Sequence, residues 1–196
     1  MPVLWEHDVK VVKSNRLLLI KLMLLLVTSA SVADERLQQS RSLSDALGQR
    51  LRSQLVTAMH ANGPVAAIET CYVVAPAIAN EIGMPATVSV GRTSLRLRSL
   101  DNAPDAWQRR QLIALQKRLD HGEAWETLEV FELLENGAAR YMRAIPVQAP
   151  CLTCHGGELA PDVAARLHDL YPNDQAAGYS LGALRGAFFV DWPIDE

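Results

Sequence analysis

Cys151-Leu152-Thr153-Cys154-His155 is a C-x-x-C-H sequence, the attachment pattern of c-type haem. Two residues between the cysteines let both sulfurs reach the two vinyl groups on one edge of a porphyrin, and the next residue brings an imidazole under the iron. Cys151 and Cys154 would then form the thioethers of one covalent haem c, and His155 would be an axial ligand. Two other chemistries use paired cysteines. A thioredoxin-like dithiol prefers the start of a helix in a βαβ setting, and a zinc site needs a second ligand pair; the sequence offers neither context. The motif instead follows Pro150, and Gly156-Gly157 after it lets backbone approach a flat ligand closely.

The chain has three cysteines, so Cys71 is left over once the pair is used. It is either a buried thiol packing as a small hydrophobe or a thiolate bound to the sixth position of the iron, whose charge would neutralise the buried sulfur. Met59, Met84, Met142, His60, His121 and His168 are rivals for that position. Residue types alone leave the choice open.

The elements that must position these groups are legible in outline. From Glu35 to Ala61, leucines at mostly four-residue steps (Leu43, Leu47, Leu51, Leu55) predict a helix, which Asn62-Gly63-Pro64 should stop. A second helix runs from about Val65 to Ile82 with Cys71 on its apolar face beside Ala67, Ile68, Ala75 and Ile78. Pro76 is expected to kink it and Gly83 to end it. Thr87 to Arg98 reads as one or two short strands interrupted near Gly91. Pro104 should open a helix that carries Leu112, Leu115 and Leu119 inward as far as Gly122. Thr127–Leu134 and Ala139–Val147 flank Asn136-Gly137, a hairpin signal. Pro161–Leu170 reads as a short helix and Arg185–Val190 as a closing strand. Glu126, Glu129, Glu132 and Glu135 are expected to be solvated. The order predicts an α+β domain with an antiparallel sheet and two long N-terminal helices.

The N-terminus has its own pattern. Lys10, Lys13 and Arg16 precede an apolar run, Leu17 to Val27 with Lys21 inside it, and then Thr28-Ser29-Ala30-Ser31-Val32-Ala33. Charged, apolar and small residues in that order read as a secretory signal, residues 1–33, with cleavage before Asp34. An uncleaved N-terminal anchor is the alternative. Residues 34–196 form one domain, expected to be periplasmic or otherwise extracytoplasmic. Of the 196 residues 49% are hydrophobic, and 19 basic side chains face 22 acidic ones. That balance argues against disorder, a multi-span membrane protein and a nucleic-acid binder.

Several segments in one order carry a family resemblance. They are Ala67 to Ala79 around Cys71, Gly91 to Arg96, Asn102 to Trp107, Met142 to Pro146, Cys151 to Gly156, Gly178-Tyr179 and Arg185 to Phe188. Across almost all of residues 37–192 the chain resembles single-haem c-type cytochrome domains with a PAS-like fold, known from cyanobacterial proteins and from extracytoplasmic sensor domains of histidine kinases. The resemblance implies a PAS-like sheet with flanking helices, and axial ligation by His155 and Cys71. Arg92, Arg96 and Arg143 lie within its segments and are candidate partners for the haem propionates, as are the neighbouring Arg98 and Arg185.

A thiolate ligand favours ferric iron, so the expected function is redox or gas sensing. The chain ends shortly after its closing strand, so sensing would pass through a separate redox or signalling protein, with a small gas as candidate ligand. A low-potential periplasmic electron carrier is the alternative, and a haem peroxidase using His60 is a third reading. No membrane contact is expected beyond a candidate N-terminal anchor.

Overall fold

The computed structural model describes the backbone of residues 6–194 and the side chains of residues 32–194. The signal and its cleavage site precede or border the described side chains. Residues Met1–Gln39 and Ser40–Glu196 form separate units. Within the first, the chain is helical from Glu6. The second holds the sheet, the remaining helices and every candidate site residue.

The expected pair of N-terminal helices is present, the two running on from one another as α1 (Glu6–Gly83) across a kink at the non-helical Gly63, at φ 79° and ψ −174°. Asn62-Gly63-Pro64 therefore breaks the axis without opening a loop. Glycine tolerates that positive φ, and proline suits the first turn of the helix that restarts behind it. Pro76 leaves the helical dihedrals intact. It is exposed, one turn after the half-exposed Tyr72, so the carbonyl that loses its helical donor lies on the solvent side of the helix. Among the described residues one helix, Val32–Ala86, is long and apolar enough to cross a membrane by length and composition alone.

Four strands make one antiparallel sheet in the order β1-β4-β3-β2: β1 (Ser89–Thr93), β2 (Glu129–Leu133), β3 (Ala139–Pro146) and β4 (Leu184–Trp192). β1 is not interrupted at Gly91. The ring of Phe189 lies over it, and a Cβ there would sit 2.6 Å from Cζ, so this glycine serves packing rather than a bend. The hairpin closes as Asn136-Gly137 implies, with Gly137 at φ 84° and Leu134 N–H donating to the Ala138 carbonyl at 2.8 Å.

Cross-strand register assigns the two faces, because opposed residues share a side. Val130, Met142 and Phe189 form one row, and Glu129, Arg143, Phe188 and Arg92 form a row on the other face. Helix α2 (Ala106–Asp120) covers the first face, its Leu112 and Leu115 packing with Leu128, Met142, Ala144, Leu184 and Ala187. Each such leucine buried is worth about 1.5–3 kcal/mol. Asp105, not Pro104, sets the start of α2: it accepts from Gln108 N–H at 2.8 Å while Gln108 Oε1 accepts from Asp105 N–H at 3.2 Å.

On the other face lies α1. Ser40, Ser44 and Leu47 are fully buried there, with Trp192 Nε1 donating to Ser40 Oγ at 2.9 Å and Gly48 against the Phe188 ring. The inward stripe thus begins with two serines that the leucine periodicity does not mark. Glu129 is also not a solvated carboxylate. It takes hydrogen bonds from Arg41 and from the buried Tyr141 hydroxyl at 2.7 Å. Arg41 holds its pKa low against the burial that would raise it.

Candidate functional site

Pro150 opens a 3-10 turn, Ala149–Cys151, that continues into α3 (Leu152–His155). On such a turn Cys154 and His155 follow Cys151 by three and four residues, so all three side chains leave from one side. Gly156 ends it. Its N–H donates to the Leu152 carbonyl at 2.9 Å, and a Cβ at this position would lie 2.6 Å from that same oxygen.

The loop before β4 fixes the turn. Gly178 N–H donates to the Gly156 carbonyl at 2.7 Å and Tyr179 N–H to the His155 carbonyl at 2.8 Å. Arg98 holds loop and turn together, donating from Nη2 to the carbonyls of Cys154 at 2.6 Å and Ala176 at 3.2 Å while pairing with Asp174 at 3.1 Å. Its guanidinium is therefore committed to protein groups. The Ala176 carbonyl also accepts from His155 Nδ1 at 2.7 Å. A carbonyl only accepts, so Nδ1 carries the proton and Nε2 the free lone pair, the tautomer that a metal ligand needs. Burial, with the cations Arg185 and Arg98 nearby, pushes the His155 pKa down to about 3, which keeps the imidazole neutral.

Cys71 comes to this turn from α1. One helical turn before it, Ile68 packs with Cys154 and with Val163 and Leu167 of α4 (Pro161–Leu170). Glu69 pairs with Arg166 at 2.9 Å, and the Tyr72 ring meets the Tyr171 ring edge-on at 5.4 Å. Burial pushes the Cys71 thiol up, and Arg92 and Arg98 partly offset this. Cys154 feels the same burial and lies within electrostatic reach of both Cys71 and Cys151. The turn itself carries Cys151, Cys154 and His155, and Ile68, one helical turn before Cys71, belongs to the apolar cluster that Cys154 joins.

The arginines divide. Arg92, on the α1 face of edge strand β1, is desolvated enough to lower its pKa, and the anionic forms that act on it are those of Cys71 and Tyr171. Among the described residues no carboxylate pairs with it. Arg96 is exposed over the Tyr179 ring at 4.4 Å and donates to the carbonyls of Gln175 and Ala177. Arg143 lies two strands away from Arg92 in the same row and pairs with Asp45 at 2.7 Å. Arg185 is desolvated beside Tyr179.

Of the rival ligands, Met142 is fully buried in the core beneath α2, Met84 is 72% exposed, and His60, His121 and His168 are exposed. Among the described residues no three His, Cys, Asp or Glu side chains converge to hold a bare metal ion. The sequence did not single out Asp174 or the Ala176 carbonyl. Their role depends on a loop geometry with no periodicity to reveal it.

Fold and site define an α+β domain that seats a C-x-x-C-H turn against a cysteine-bearing helix. A family model described as Tll0287-like matches residues 24–193, and the chain belongs to that family. Among solved structures it is similar to the cyanobacterial haem protein Tll0287, at 27% identity over 81% of this chain and 95% of that one, with a TM-score of 0.61. No curated protein matches the chain.

Proposed function

We propose that this chain is an exported, PAS-like c-type haem protein, with one haem joined to Cys151 and Cys154 and iron held by His155 and Cys71. Its role is redox or gas sensing through a separate protein partner. The observation that carries this reading is the C-x-x-C-H turn, whose His155 keeps Nε2 free, and the packing of Ile68, one turn before Cys71, in the cluster that Cys154 joins. The haem protein among its structural relatives supports it.

The residues fit such a group. His155 presents a neutral imidazole with its lone pair on Nε2. Arg92 is a desolvated cation with no carboxylate partner among the described residues, and a propionate would supply one. Arg98 positions the turn, and Arg143 is already engaged by Asp45. A bound haem supplies one-electron iron chemistry, biased toward the ferric state by a thiolate ligand. With haem bound, Cys71 would hold ferric iron as a thiolate, and its release with a proton on reduction would open a position for a small gas. The Ile68, Val163 and Leu167 cluster beside Cys71 would carry such a change into α1, the kind of element shift that a partner can read.

Absorption and EPR spectra of the wild type and Cys71→Ala test the assignment. Loss of the low-spin ferric signature in the variant is expected, and an unchanged spectrum would sink it. Reduction-triggered spin change with carbon monoxide binding separates a sensor from a plain low-potential carrier, which would show reversible voltammetry with constant ligation. Rapid peroxide turnover would favour the peroxidase reading.

A further inference from the structure

A cleft of about 320 Å³ opens on the α2 side of the sheet, within the size range of small-molecule sites. Its floor is apolar, Leu112 and Leu184, residues of the core beneath α2. Cys71 and Arg92 belong to the α1 side, and the cleft adjoins the His155 turn from the α2 side, its Arg185 being one of the cations that act on His155. Tyr179 joins the two. It lines the cleft and meets the His155 ring edge-on at 6.3 Å.

The charge in the cleft is one-sided. Arg96 and Arg185 both line it, with guanidinium carbons 4.4 and 5.5 Å from the Tyr179 ring centroid, and among the described residues no Asp or Glu does. Arg96 donates to the carbonyls of Gln175 and Ala177, and Arg185 Nη1 donates to the Arg96 carbonyl at 3.3 Å. Carbonyl oxygens satisfy N–H groups but cancel no net charge. Asp174, the carboxylate that acts on Arg185, is held by Arg98 at 3.1 Å. Two cations sharing one ring beside an apolar floor make a complement to an anion with a hydrocarbon part.

We propose that this cleft binds a small organic monocarboxylate, its carboxylate between Arg96 and Arg185 and its apolar part on Leu112 and Leu184. The inference stands on the cleft residues and does not require the haem reading.

Calorimetric titration of the purified protein with benzoate tests it, with benzamide as the neutral isostere. Saturable benzoate binding is expected, with none for benzamide. Arg96→Gln should weaken it about tenfold or more. Gln116→Glu, which sets a carboxylate at the wall of the cleft, should do the same while leaving both arginines in place. Far-UV CD matching the wild type secures the fold of each variant. No heat with benzoate, equal binding of benzamide, or unchanged affinity in Gln116→Glu overturns the proposal. So does binding of an acidic peptide but not benzoate, which would make the cleft a protein docking surface.

Discussion

Removing one oxygen atom, in Tyr141→Phe, tests the reading of Glu129 as a structural hub. The Tyr141 side chain is fully buried, and its hydroxyl donates to Glu129 Oε2 at 2.7 Å, a hydrogen bond to a charged acceptor. Such bonds are worth about 1.5–3 kcal/mol. Glu129 keeps Arg41 as a donor, and 19% of its side chain is exposed, so water recovers part of the loss. The expected cost is about 1–2 kcal/mol, or about 2–8 °C in Tm for a domain of this size. Urea unfolding followed by far-UV CD at neutral pH measures it, and combining the change with Glu129→Gln gives the coupling. The sign with pH follows from the carboxyl. Arg41 and Tyr141 lower the pKa of Glu129 against burial. The stability it contributes is therefore present above the unfolded glutamate value of about 4.3 and is lost as pH falls through the folded value. The penalty of Tyr141→Phe should shrink in the same acid range. A variant as stable as the parent at neutral pH, or a penalty that acid leaves untouched, would refute the hub.

Other consequences are as direct. Gly156→Ala should push a Cβ against the Leu152 carbonyl and distort the end of α3, lowering the fraction of protein with covalent haem, which intact mass reads directly. Arg92→Gln removes a cation beside Cys71, so voltammetry should show a lower reduction potential; an equal or higher value would place the arginine outside the iron's field. Asp105→Ala loses the capping box of α2 and an ion pair with Arg140 at 2.7 Å, and should cost about 0.5–2 kcal/mol in chemical denaturation. The proposed export predicts an N-terminus at Asp34 in mass spectrometry of the protein purified from its native host, whereas an intact N-terminus would count against cleavage.

What the sequence made legible was whatever a local rule governs. Pro161 at the start of α4, Asn136-Gly137 in the hairpin and the apolar face of α2 all mark their elements, because turn chemistry and periodicity act over a few residues. Cys151, Cys154 and His155 announce themselves by spacing. Cys71 enters as a candidate ligand by resemblance alone, since no local rule distinguishes a ligand from a packed thiol. Three features depended on partners far along the chain and left no pattern: Gly91 beneath Phe189, Glu129 between Arg41 and Tyr141, and Arg98 across Cys154, Asp174 and Ala176. The division of the arginines had the same origin, because a guanidinium's role is set by whichever acceptor the fold puts within reach.

The break at Gly63 also sets an angular problem. Nothing lies within 4 Å of where its Cβ would be, so glycine is needed there for its dihedral and not for room. Between that joint and Cys71 the helix is continuous, and each residue turns the side chain by about 100°. Deleting one residue from 65–70 would therefore turn Cys71 by about 100° relative to the joint while leaving composition, apolar content and helix almost unchanged. The azimuth of a single sulfur is thus written in the count of residues from the joint, with Ile68 and Glu69 on α4 as the stops that hold it.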